Sequence, residues 1–119
     1  MSMNVLVCED DPIIAMDLSL TLEDLGHKVL GTVASSRQCL SRCASDPPDL
    51  VTVDLTLLDG RTGLRLVDLL AELGIPTIIV SGEAHLVPRS TSARSVLEKP
   101  FSEALLARAL ADVERGRLV

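Results

Sequence analysis

The sequence predicts a doubly wound α/β fold, a parallel five-stranded sheet with helices on both faces. Three observations predict it. Short runs of branched aliphatic residues alternate with longer amphipathic stretches along the chain, and Gly or Pro separates many of them. The short runs are apolar throughout rather than every second residue, as strands covered on both faces require. Leu, Val, Ile and Ala dominate, and Phe101 is the only aromatic residue. With 47% apolar and 24% charged residues the chain is globular, and its 119 residues suit one domain, read as residues 1–119.

Asn4–Cys8 reads as the first strand. Pro12–Leu25 reads as a helix with Pro at its opening and Gly26 just past its end. On it Leu18, Leu22 and Leu25 follow i, i+4, i+7 spacing and are expected to face the core. His27–Ala34 is the second strand, with His27 read as a surface or strand-entry residue. Ser36–Ala44 is a helix with Ser35 or Ser36 as cap. After the break at Pro47-Pro48 comes a third strand, Leu50–Asp54, and after the loop LTLLDGRTG a helix over Leu64–Leu73, closed by Gly74. Pro76–Val80 is the fourth strand and Ser95–Glu98 the fifth, and Glu103–Arg115 is the last helix. Between them, Pro88 and several Ser/Thr residues work against a long helix over Glu83–Arg94. Strands alternating with helices imply right-handed crossovers.

The net charge of −6, with no Lys/Arg run longer than two residues, lacks the basic footprint of a nucleic-acid binder. The apolar runs, such as Leu50–Val53 and Ile75–Val80, are strand-sized and far short of a membrane span. MSMNVLVCEDD turns acidic within nine residues and does not read as a signal peptide. Three cysteines, an odd number, argue against a disulfide framework. Cys39 and Cys43, four apart, read as small buried hydrophobes on one helix face. A cytoplasmic protein that binds neither nucleic acid nor membrane is expected.

In open parallel sheets chemistry collects at the carboxyl ends of the strands. There the first strand presents Glu9, Asp10 and Asp11, the third Asp54, the fourth Ser81, and the fifth leads into Lys99. If the first and third strands are neighbours, several carboxylates share one crevice. Such a cluster repels itself unless a cation neutralises it, and a few hard oxygens suit magnesium. Singly, each acid reads as a solvated charge, and Asp11 before Pro12 as a helix cap; the combination carries the argument.

The motifs VCEDDP, VDLTLLDGRTG, IIVSG and EKPF, at the ends of strands one, three, four and five, together resemble the receiver domains of CheY-like response regulators. The resemblance covers essentially all 119 residues. It implies the flavodoxin-like strand order 2-1-3-4-5, a phospho-accepting Asp54, and Mg²⁺ held by Asp10 directly, by Glu9 through water and by the Thr56 carbonyl. It also implies that Asp54 is itself a ligand of that metal. Ser81 and Lys99 are implied to contact the phosphoryl group, and Lys99–Pro100 to be cis. Glu83 and Thr56 would tune hydrolysis. The implied donor is a phosphohistidine on a histidine kinase or histidine phosphotransfer protein, with a downstream protein target that the sequence does not name. The chain would catalyse its own modification rather than act as a conventional turnover enzyme.

Two features depart from the family pattern. Val96 stands where a Tyr or Phe commonly reports phosphorylation, and the stretch between Ser81 and Lys99 is short, so the fourth helix is expected to be short or irregular. That shortness, with Ser81-Gly82 and VLEKPF, resembles a subgroup of single-domain regulators with a Phe-Ala-Thr-Gly fourth strand. Leu58 replaces the usual loop proline. Ile13 or Ile14 is expected to be a docking contact for the donor, Phe101 to pack under the sheet edge, and His85 to have no catalytic part.

Rival readings fare worse. A haloacid-dehalogenase-type phosphoesterase would carry a second aspartate where Thr56 stands, and a nucleotide-binding module would carry a glycine-rich loop where EDDP stands. The alternative that persists is a receiver-like protein-interaction module that no longer switches.

Overall fold

A computed structural model describes residues 2–117. Its elements run β1 (Asn4–Cys8), α1 (Pro12–Asp24), β2 (Lys28–Val33), α2 (Ser36–Ser45), β3 (Leu50–Val53), α3 (Gly63–Glu72), β4 (Thr77–Ser81), β5 (Ser95–Glu98) and α4 (Glu103–Arg117). The sheet is wholly parallel in the order β2-β1-β3-β4-β5, as expected. Between β4 and β5 there is one 3₁₀ turn, Ala84–Leu86, and then irregular chain, in keeping with Pro88 and the Ser/Thr residues there.

Alternation of side chains along the buried strands splits the core in two. Val5, Val7, Leu50, Ile78, Val80 and Leu97 face α1 and α4, where Leu18, Leu22, Leu106 and Leu110 meet them. Leu6, Cys8, Val51, Val53 and Ile79 face the other way, against Cys39 and Cys43 of α2 and Leu66 and Leu70 of α3. The two cysteines are thus buried hydrophobes, as their spacing implied. Leu25 is only partly buried, packed at the margin of the first core. Phe101 does the same.

Helix ends follow local chemistry. Asp11 caps α1, its Oδ1 accepting from the N–H of Ile13 at 2.9 Å and of Ile14 at 3.3 Å. Gly26 and Gly74 take positive φ (94° and 76°) just beyond α1 and α3, a conformation that favours glycine. Ser35 caps α2 through the Gln38 N–H at 3.1 Å. A second cap on α2 comes from the loop after β3, because Asp59 accepts from the N–H of Ser36 (3.1 Å) and Arg37 (3.3 Å).

Of the two places expected for His27, the entry to β2 holds and the surface does not. His27 is buried, because β2 begins beneath the last turns of α4. Its Nδ1 accepts from the Met3 N–H at 3.1 Å and its Nε2 lies 3.6 Å from Glu114 Oε1. The edge of β2 is guarded by Arg42, whose guanidinium donates to the Leu30 carbonyl at 3.1 Å.

Candidate functional site

The strand register brings the implied site together. Cys8 pairs with Val53 and Ser81 with Glu98, so Glu9, Asp54 and Lys99 each follow their strand onto the same sheet end. The ladder runs on past the strands: Asp54 N–H donates to the Cys8 carbonyl (3.2 Å) and Lys99 N–H to the Ser81 carbonyl (3.0 Å). Carboxylate oxygens of Glu9, Asp10 and Asp54 lie within 4.8 Å of one another. Glu9 and Asp54 are buried and Asp10 is exposed. Asp11, by contrast, is spent on the α1 cap, as its place before Pro12 implied.

Lys99 completes the cluster. Its Nζ lies 2.7 Å from Asp54 Oδ2 and 2.6 Å from Glu9 Oε1. Burial pushes the Glu9 carboxyl up to about 7, against the lowering effects of the Lys99 hydrogen bond and the Asp11 N–H, while the Asp54 charge adds to the rise. For Lys99, burial pulls the ammonium down, but the hydrogen bonds to Asp54 and Glu9 outweigh it and hold it above its ordinary value. The Lys99–Pro100 bond is cis.

The donor set fits a hard divalent cation: three carboxylates converge, one open to solvent, with Lys99 already neutralising part of their charge. Ser81 is buried at the end of β4, and its Oγ accepts the Glu83 N–H at 3.0 Å. Accepting there, the hydroxyl keeps its own hydrogen available for donation. Thr56 is exposed on the next loop, with its side chain 3.2 Å from Glu83 Oε1.

Gly63 explains how α3 starts so close to the site. A Cβ there would lie 2.2 Å from the Asp54 carbonyl oxygen and 2.6 Å from Leu55 Cα. Sequence reading missed this glycine, as it missed Arg61, whose Nη2 lies 2.7 Å from Glu83 Oε2. Nothing in the spacing of either residue signals its partner. Val96 is partly buried against the α2/α3 core, and His85 is exposed on the 3₁₀ turn.

The sequence pattern of the response regulator receiver domain matches residues 5–111. The chain belongs to the response-regulator receiver family. This receiver is 38% identical over 109 residues to the phyllosphere-induced regulator PhyR of Methylorubrum extorquens, an alignment covering 87% of this chain and 40% of the relative. The chain therefore spans less than half of that protein's length. Among solved structures, the receiver domain of PhyR from Erythrobacter litoralis superposes with a TM-score of 0.83 at 31% identity, over 94% of this chain and 89% of that one. A doubly substituted form of the anti-anti-sigma factor PhyR of Bartonella quintana gives 0.81 at 30% identity, over 97% of this chain and 51% of that one. Receiver domains generally bind Mg²⁺, and this chain carries an acidic cluster of Glu9, Asp10 and Asp54.

Proposed function

We propose that this receiver takes a phosphoryl group from a phosphohistidine, on a histidine kinase or a histidine phosphotransfer protein, onto Asp54. The observation that carries the proposal is the convergence of Glu9, Asp10 and Asp54 oxygens beside the Lys99 ammonium. A carboxylate oxygen of Asp54 forms the new bond to phosphorus as the bond to the donor imidazole nitrogen breaks, and the electron pair leaves with the imidazole. Lys99, 2.7 Å from Asp54, would neutralise charge on the transferring group, and Ser81, at the end of β4, would donate a hydrogen bond to it. Asp10, Glu9, Asp54 and the Thr56 carbonyl are the proposed holders of Mg²⁺, which when bound would offset the negative charge of carboxylates and phosphoryl oxygens together. This is self-modification rather than turnover chemistry.

The docking surface for the donor is proposed on α1 beside the acids. There Ile13 is 79% exposed and Met16 and Leu20 continue the apolar stripe, while Ile14 is half-buried. Similarity to an anti-anti-sigma factor supports a protein partner as the output, reached by altered binding or by drawing phosphate from a shared relay. A cytoplasmic location belongs to the same proposal, supported by three free buried thiols.

The test is incubation with acetyl phosphate and Mg²⁺, followed by intact mass. Wild type gains one phosphate, and Asp54→Asn gains none. If wild type gains none, or Asp54→Asn gains as much, the acceptor reading is wrong. A second reading, a non-switching interaction module, is favoured by Val96 in place of the reporting aromatic. It predicts equal partner affinity with and without acetyl phosphate.

A further inference from the structure

Two loops meet across the rim of the site through a single carboxylate. Glu83 Oε1 accepts from the Thr56 hydroxyl at 3.2 Å, and Glu83 Oε2 sits 2.7 Å from Arg61 Nη2. The Glu83 backbone N–H donates to Ser81 Oγ at 3.0 Å. Glu83 is thereby tied to the residue two past Asp54, to the hydroxyl proposed to meet the phosphoryl group, and to a cation seven residues past Asp54. Arg61 itself lies on the surface, with 71% of its side chain exposed, and its ion pair is with Glu83 rather than with the acids of the cluster.

We propose that Arg61 is a positioning residue that lengthens the life of the aspartyl phosphate by restraining Glu83. The inference rests on Asp54 being the acceptor. In hydrolysis, a water oxygen bonds to phosphorus as the bond to the Asp54 oxygen breaks. The electron pair returns to the Asp54 carboxylate, the water proton is lost, and inorganic phosphate leaves. A carboxylate free to swing toward that water would accept its proton and speed the step. Held by Thr56 on one oxygen and by Arg61 on the other, Glu83 is biased away from doing so. An exposed ion pair biases a side chain by up to about fivefold in population, which sets the size of effect to look for.

The experiment measures the decay of aspartyl phosphate, loaded with acetyl phosphate and Mg²⁺ and then desalted, in wild type, Arg61→Ala, Arg61→Lys, Glu83→Gln and Arg61→Ala/Glu83→Gln. The expected result is decay about fivefold faster in Arg61→Ala, restored toward wild type in Arg61→Lys, which keeps a cation. In the Glu83→Gln background, where no carboxylate remains to be freed, Arg61→Ala leaves decay unchanged. A merely structural role for Arg61 would act in both backgrounds alike. Unchanged or slower decay in Arg61→Ala, or equal acceleration with and without Glu83, overturns the inference alone. Wild type that never gains phosphate overturns the acceptor reading and this inference with it.

Discussion

Replacing Gly63 by alanine sets two opposed effects against each other, and the structure decides between them. Alanine is the better helix former by about 1 kcal/mol in a helix interior, and Gly63 is the first residue of α3. Against that, the new Cβ would sit 2.2 Å from the Asp54 carbonyl oxygen, 2.6 Å from Leu55 Cα and 2.9 Å from the Leu55 oxygen. Ordinary contact begins at about 3.5 Å, so backbone must retreat by about 1 Å or more on at least one side. All three colliding atoms are main chain, and Gly63 N–H is also bonded to the Leu55 carbonyl at 3.0 Å. Overpacking of this kind costs roughly 1–3 kcal/mol, and three main-chain collisions put this case at the upper end, leaving a net loss of about 2 kcal/mol after the propensity gain. The melting midpoint is expected to fall by roughly 6–12 °C. Because the displaced peptide carries Asp54, the rate of phosphorylation by acetyl phosphate should fall with it. Gly116→Ala is the comparison: there only the guanidinium end of Arg94 stands in the way, and it can swing aside. A Gly63→Ala protein that melts at or above wild type, and phosphorylates at the wild-type rate, would refute the reasoning.

Other consequences are simpler. Thr52 carries a buried hydroxyl without a hydrogen-bond partner among the described residues, so Thr52→Val, nearly the same shape, should stabilise the fold by about 1 kcal/mol in denaturant titration; destabilisation would point to a partner for the hydroxyl. Asp59→Ala removes the second cap of α2 and should cost about 1 kcal/mol, read as a lower denaturation midpoint. Burial together with the Cys39 thiol pushes Cys43 up to about 12, and the Cys8 contact with burial raises Cys39 as well. Native protein at pH 8 should therefore leave both unreacted with a thiol reagent, and denatured protein should titrate all three cysteines; fast native labelling of Cys39 or Cys43 would contradict the buried, protonated thiols.

What could be read from the residues in order was whatever repeats locally or stands at a strand end. The strands showed because β1, β3 and β4 are covered on both faces and had to be largely apolar. Glu9, Asp10, Asp54, Ser81 and Lys99 showed because parallel strands bring their carboxyl ends to one side, so position along the chain stands in for position in space. Asp11 could be told from its neighbours only by the proline that follows it. The contacts that escaped notice join residues far apart in sequence through side chains of ordinary composition. Asp59 caps a helix that begins 23 residues earlier, and Glu83 is 22 residues from Arg61. His27 stood beside a helix-ending glycine and looked peripheral, because its burial depends on where α4 returns.

Lys99 supplies the last prediction, one in which two readouts move in opposite directions. Its ammonium engages the same carboxylates that a divalent ion would need, 2.6 Å from Glu9 and 2.7 Å from Asp54. Removing it in Lys99→Ala leaves Glu9, Asp10 and Asp54 facing one another uncompensated. Charge pairs at about 4 Å in an effective dielectric of about 20 interact by about 4 kcal/mol, and the solvent exposure of Asp10 reduces the net effect well below that. An affinity gain for Mg²⁺ of about tenfold, or about 1.4 kcal/mol, is expected by titration calorimetry. Phosphorylation should nevertheless slow, because the cation proposed to neutralise the transferring group is gone. The pH dependence gives a second check. Glu9 titrates near 7 in the folded chain against an ordinary 4.5, so its acid form is favoured by folding. Its contribution to stability in chelator is present below about 4.5 and is lost as pH rises through about 7. Without Lys99 the Glu9 carboxylate loses its counter-ion, and that loss of stability should steepen; saturating Mg²⁺ should oppose it in both proteins. Weaker Mg²⁺ binding in Lys99→Ala would mean that the lysine orders the acids rather than competing for them, and the electrostatic account of the site would fail.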